Sequence, residues 1–378
     1  MHDIRRDKLS LEMKLNISGF IIGLGLSTHA YFIPIFLQDL GANYTVIGLI
    51  GSLRSLPYAI IPIFTGLMIA RYDMRKLYLL GSILSTLGLI LLSISQNFIE
   101  VGIANLLLGI SMVFYWPMAE SIIAELFPEE SRQKVYSSFS ASWSIAYFIG
   151  PILGGVLSEL VDLRILFTVS AVICGAAAPF IYLMGEQRLN GEEMKYKELK
   201  NIIYIWPVYV VVLLFTYGMA CLILLAPSFF YQRGWSSLMV GAVFTVFGVA
   251  RTISYIIASK IRKMNEVKVM FLSIVIQSLA IFMLAYTYPE IVFPALALAG
   301  AVNGMYFVAS FNIISRRVKT GYRGASIGFI EGILGAGFIV GPGLTGFLID
   351  YVGGEAAFTI TSVIILSSIP FILIVRKI

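Results

Sequence analysis

The sequence predicts an all-α membrane protein, twelve transmembrane helices in two six-helix bundles built on a parallel pseudo-repeat. Three observations carry this reading. The 378 residues are 58% hydrophobic and only 13% charged, where a water-soluble chain carries about 25% charge. Mean hydropathy is +0.89, so charge is too sparse to cover a water-facing surface. Apolar runs of the length a bilayer demands, about 20 residues, recur throughout, and the second half of the chain repeats the first.

The elements follow in order. The N-terminal MHDIRRDKLSLEMK leads into an apolar run too long for the core of a cleaved leader, and it reads as the first span, Asn16–Leu37. Hydropathy with charge and turn punctuation then places spans at Tyr44–Ala70, Leu77–Gln96, Val101–Leu126, Val135–Ser158 and Ile165–Gly185. The longest hydrophilic stretch, EQRLNGEEMKYKELKN from Glu186 to Asn201, halves the chain and reads as a solvated tether. Beyond it lie Ile203–Tyr231, Ser236–Ser259, Val267–Tyr288, Ile291–Ile314, Ala325–Ile349 and Ala356–Val375. The expected division is therefore a bundle over 1–185, a linker over 186–202 and a bundle over 203–378. Trp206 and Trp235, near span ends, read as interfacial anchors. Cys174 and Cys221 fall in apolar runs, which argues against a disulfide framework or a thiolate metal site.

Charge gives the orientation. Of 27 Lys and Arg residues, 23 fall in alternate connections with both termini and the linker; only Arg164 and Arg233 fall on the other side. The basic side of a membrane protein is the cytoplasmic one, so both termini are expected inside, in a plasma membrane. The basic residues are spread over many short segments, which excludes a nucleic-acid surface. Arg54 and Arg251 remain, deep inside spans.

The repeat is carried by backbone-shaping residues. Under a shift of 193, Pro34 meets Pro227, Phe36 meets Phe229, Gly41 meets Gly234 and Gly48 meets Gly241. Under a shift of 191, Gly109 meets Gly300, Arg132 meets Arg323, Gly150-Pro151 meets Gly341-Pro342, and Gly155 meets Gly346. Six spans per half put both halves in the membrane the same way round, with a midplane site expected between them.

Two motifs then carry a resemblance. GLMIARYDMRK, Gly66 to Lys76, is similar to the Gly-x-x-x-Asp-Arg-x-Gly-Arg-Lys loop of the major facilitator superfamily: Gly66, Arg71 and Arg75 match, whereas Ala70 and Asp73 replace the first acid and the second glycine. Gly150-Pro151-x-x-Gly154-Gly155 resembles that superfamily's antiporter-associated motif. Where many proton antiporters of the family have an arginine, this chain has Asn105. The resemblance spans nearly the full chain. It implies the superfamily fold and a gating role for Gly66, Arg71, Arg75, Gly150, Pro151, Gly154, Gly155, Gly341 and Pro342. Small residues at these spacings also let helix backbones approach closely.

Charged groups deep in a span are costly and face a cavity or a partner. The candidates are Arg54, Arg251, Glu120 and Glu331, with His29 as a neutral titratable group. None has a charged equivalent in the other half: Arg54 meets Phe247, Arg251 meets Tyr58, and Glu331 meets Ser140. The two arginines read either as an anion clamp or as partners of intramembrane acids in packing. Glu331 and Glu120 can take up and give up a proton, so they are the candidates for proton coupling; a gate ion pair is the alternative. Arg54, Arg251, His29, Trp116, Trp143 and Tyr147 are the candidate substrate-binding residues, and Tyr115 adds to their aromatic cluster. Trp143 and Tyr147 share one helix face.

The function expected is alternating-access transport of a small solute: proton-coupled efflux of amphiphilic compounds, or uptake or exchange of a small organic anion or sugar. No His-Glu-x-x-His run or other catalytic constellation points to an enzyme, and no phosphate-binding Gly-x-x-x-x-Gly-Lys loop points to ATP. No cofactor or metal is expected. The partners expected are the small-molecule substrate, the proton and membrane lipid, with the carrier a monomer.

Overall fold

The computed structural model describes residues 2–61, 68, 71–186, 205–261, 265–317 and 323–376. Among these residues the chain forms sixteen helices and no strand. In the first half these are α1 (His2–Ala30), α2 (Ile33–Asp39), α3 (Tyr44–Ile60), α4 (Met74–Ile94), α5 (Phe98–Leu126), α6 (Glu129–Leu160), α7 (Leu163–Gly175) and α8 (Ala178–Tyr182). In the second half they are α9 (Trp206–Leu224), α10 (Ala226–Gln232), α11 (Ser237–Lys260), α12 (Glu266–Leu284), α13 (Pro289–Arg317), α14 (Arg323–Val352), α15 (Gly354–Leu366) and α16 (Ile369–Val375).

Among the described residues, eleven stretches are long and apolar enough to cross a membrane. The twelfth expected span begins as α3 and runs on into residues 62–70, most of which lie outside the described set. The architecture is that of two six-helix bundles. Helix α1 starts well before the apolar run, because residues 2–15 contain no glycine or proline to interrupt it.

Both halves break at the same places. Pro34 opens α2 and Pro227 opens α10, since proline suits a first helical turn and interrupts the helix before it. Seven residues on, Gly41 and Gly234 adopt the same left-handed φ of 87°, where an L side chain would be strained. Asn43 then caps α3 through Val46 N, and Ser236 caps α11 through Met239 N. The sequence repeat is thus a repeat of turns and caps as well as of letters. Trp206 is exposed, as an interfacial anchor should be, but Trp235 is buried. Its ring stacks on Phe230 at 4.8 Å and its indole N–H donates to the Thr287 carbonyl at 3.0 Å. A neighbouring turn supplies the acceptor that lets the indole leave the interface.

Between the halves, α3 packs on α14 and α6 packs on α11, and the two contacts are related by the repeat. Gly48 faces the Pro342 carbonyl so closely that a Cβ would collide with it; Gly241 does the same with the Pro151 carbonyl. Gly346 lies against the Tyr44 carbonyl, and Gly155 against the Ser237 carbonyl and Leu238 Cα. Ser52 Oγ donates to the Ile339 carbonyl across the seam at 2.6 Å, and Tyr31 stacks on Phe244 at 4.1 Å. These contacts close the side carrying Arg164 and Arg233, opposite the basic face.

Within each half, Gly109 of α5 meets the Arg54 carbonyl, and its repeat equivalent Gly300 of α13 meets the Phe247 carbonyl. Gly109→Ala and Gly300→Ala should each lower stability by about 1–3 kcal/mol through overpacking. Thermal unfolding in detergent checks this, with Gly343→Ala expected near wild type because the nearest atom to its Cβ is 3.7 Å away.

Candidate functional site

The seam decides which side chains meet. Arg54 lies beyond Gly48 on α3, further toward the basic face, and Tyr58 follows one turn later on the same side of the helix. Arg251 holds on α11 the place that Tyr58 holds on α3, flanked at i−4 and i+4 by Phe247 and Tyr255. Its guanidinium sits 5.7 Å from the Phe247 ring centroid and 5.8 Å from that of Tyr147, which comes from α6 in the other bundle. Tyr147 is within electrostatic reach of both Arg54 and Arg251, so one ring lies near a cation from each bundle.

An aromatic wall continues from it. Trp143 packs edge-on against Tyr147 at 5.7 Å, and Trp116 of α5 against Trp143 at 4.7 Å. Trp116, Trp143 and Tyr147 are half-buried, whereas Tyr115 is fully buried and packs on Tyr78. Tyr115 is therefore core, and the other three form the exposed edge of the cluster.

Among the described residues neither arginine has a carboxylate within ion-pair distance; the ion pairs there are Arg75 with Asp73 and Arg233 with Glu355. The acids are engaged differently from the pairing alternative. Tyr58 O–H donates to Glu331 Oε2 at 3.1 Å, a bond from α3 to α14 that crosses between the bundles. Glu120 is exposed; it lies within electrostatic reach of Tyr58 and feels the charge of Glu331. His29 is fully buried on α1. Its Nδ1–H donates to the Gly25 carbonyl at 2.8 Å, and Nε2 has no partner. The ring lies within reach of the Arg54 charge.

The expected gating residues separate into groups. Pro151, Gly155 and Pro342 lie at the seam. Gly150 packs on Ser27, Gly154 on the Thr28 carbonyl and Gly341 on the Tyr217 carbonyl, all inside their own bundles. Arg75 is held within the first half, 3.6 Å from Asp73, 3.2 Å from the Tyr182 carbonyl and over the Tyr182 ring. Arg71 is exposed, and Gly66 lies outside the described residues. Sequence reasoning passed over Tyr58 and Tyr255 as site residues. Their signal was present: each sits four residues after an intramembrane arginine.

Chemically, the centre offers two cations without a carboxylate partner among the described residues, an aromatic edge and a carboxyl tied across the seam. Arginine's planar fork suits a carboxylate or phosphate, and aromatic faces accept a flat ring.

A family model described as Major Facilitator Superfamily matches residues 15–261 and 208–377. The quinolone resistance protein NorA of Staphylococcus aureus is 25% identical over 141 residues, 37% of this chain and 36% of that protein. The purine ribonucleoside efflux pump NepI of Shigella sonnei is 28% identical over 172 residues, 44% of this chain and 43% of that one. The matched stretches thus span less than half of each curated relative. The crystal structure of the nucleoside transporter NupG superposes with a TM-score of 0.82 at 10% identity, covering 97% of this chain and 99% of that one.

The absence of acid partners has a thermodynamic consequence. Removing one member of a buried ion pair costs about 3–5 kcal/mol, whereas removing an unpaired, desolvated cation relieves a cost. Arg54→Gln should therefore match or exceed wild type in thermal unfolding in detergent; a large loss of stability would mean that the guanidinium has a carboxylate partner.

Proposed function

The chain belongs to the major facilitator superfamily, a non-enzymatic transporter fold, and from that premise we propose that it exports amphiphilic aromatic compounds in exchange for protons. The observation that carries the substrate class is the pair of arginines without acid partners beside the Trp116, Trp143 and Tyr147 edge. Two uncompensated positive charges disfavour a cationic solute, so the compounds are neutral or anionic. His29 Nε2, a bare acceptor near Arg54, is assigned to the same binding region. The names of NorA and NepI, a drug-resistance protein and an efflux pump, support export.

Coupling is assigned to Glu331, with Glu120 as the exposed acid on the proton's path. An ionised carboxylate accepts a stronger hydrogen bond from Tyr58 than a protonated one, so the proton's arrival weakens a link between the bundles. In an exchange cycle Glu331 loses its proton toward the basic face, binds Tyr58 as in this structure, and is released when solute takes over the polar contacts of the centre. The bundles then rock about the midplane site. The basic face is assigned to the cytoplasm, with the bundles divided by the linker at 186–202 and the carrier working as a monomer in the plasma membrane.

A second reading rests on the arginines alone: uptake or exchange of a small organic anion. Here the sign of coupling reverses. An anion at Arg54 and Arg251 favours protonation of the neighbouring Glu331, so solute and proton would travel in the same direction.

Proteoliposomes with a trapped pH dye separate the two. Neutral aromatic solutes moving against protons support export, while an anion that carries protons with it replaces that reading with the second. Under either, Glu331→Gln should abolish gradient-driven accumulation and spare counterflow exchange; full accumulation in that variant removes Glu331 from coupling. If the solute is an anion, Arg54→Ala and Arg251→Ala should each weaken its binding by at least tenfold in a competition assay.

A further inference from the structure

Two acids at the closed face lie outside every motif considered so far. Asp350, near the end of α14, accepts from Tyr44 N at 3.1 Å, from Thr45 N at 2.7 Å and from Thr45 Oγ1 at 2.6 Å. Those amides belong to the first turn of α3, in the other bundle, where helix N–H groups have no partner of their own. Asn43 serves only Val46 N, so the far bundle completes the cap. Glu159, near the end of α6, does the equivalent: its Oε1 accepts from Leu238 N, in the first turn of α11, at 3.1 Å. The repeat relates these contacts, because Thr45 falls on Leu238 under the 193-residue shift and Glu159 on Asp350 under the 191-residue shift.

We infer that Asp350 and Glu159 are the gating carboxylates of the face opposite the basic one, each latching its bundle to the first turn of a helix in the other. Opening the centre to that face requires pulling these first turns off their acids, since α3 leaves α14 and α11 leaves α6 together. A negative charge at a helix N-terminus gains from the helix dipole as well as from the bonds, and both acids are exposed, so water can replace them once they part. The latches are unequal. Asp350 uses both oxygens in three bonds and Glu159 uses one oxygen in one bond, so the α3–α14 seam holds more firmly and the α6–α11 seam yields first.

This inference rests on the alternating-access reading but not on the identity of the solute or the ion, and its test needs neither. Cys174 and Cys221 are replaced by serine, and nitroxide labels are placed at Ile99→Cys and Tyr288→Cys, exposed positions on the closed face in opposite halves. Pulsed electron–electron distances are then recorded for the purified carrier. Asp350→Asn puts an amide donor where two acceptors are needed, and it should raise the share of the longer, open distance at least tenfold. Thr45→Val removes one donor and leaves the acid, so it should give an intermediate rise; Glu159→Gln should give the smallest. Asp162→Asn is the control, because its bond to Arg164 N stays within its own half, and it should match the parent. Unchanged distances in Asp350→Asn and Thr45→Val, in monodisperse protein of parental helicity, would overturn the latch. An equal rise in the Asp162→Asn control would overturn it too, by reducing the effect to surface charge.

Discussion

The arrangement depends on one constraint: at the seam, backbone touches backbone. Inside a bilayer there is no hydrophobic gain in bringing two apolar helices together, because lipid tails solvate them equally well; close packing must supply the attraction. Gly48 against the Pro342 carbonyl and Gly241 against the Pro151 carbonyl bring α3 to α14 and α6 to α11 so close that a side chain at either glycine would collide. That closeness lets Tyr58 reach Glu331 across the seam, and Arg251 reach the Tyr147 ring. With larger residues at those glycines, the cation, the ring and the carboxyl would belong to separate surfaces.

The centre departs from the economy of the rest of the molecule. Many buried polar groups find backbone acceptors: Ser52, Thr216 and Ser27 return their hydroxyls to carbonyls one turn back, and Gln277 donates to the Phe215 carbonyl of a neighbouring helix. At the centre, neither guanidinium has a carboxylate within ion-pair distance among the described residues, His29 Nε2 lacks a donor, and the bond from Tyr58 to Glu331 spans the two halves. Unsatisfied groups of this kind are costly in a membrane.

Much of this was legible in one dimension. Glycines and prolines gave the repeat because they act on the backbone directly, and turns such as Gly41 and Gly234 do the same thing in both halves. Intramembrane charge identified Arg54, Arg251, Glu120 and Glu331 because burial makes such residues rare. The partners of those charges were hidden, since partnership depends on which faces the seam turns together. Tyr58 looked like the uncharged counterpart of Arg251 until it met Glu331. Trp235 looked interfacial because its indole acceptor, the Thr287 carbonyl, lies 52 residues away in sequence. Asp350 and Glu159 sat at span ends, where an acid ordinarily means solvent; only their matched places in the repeat hinted at a shared task.

A seam made of main-chain atoms also bears on divergence. Carbonyls and Cα atoms are present whatever side chains surround them, so the closest part of the interface asks for small residues, with a few side-chain links such as Asp350 and Glu159 at its edge. Neighbouring positions can drift freely, including those lining the centre, without disturbing how the halves meet. The same fold in NupG at 10% identity is compatible with a joint of this kind: it asks for backbone geometry rather than for particular side chains.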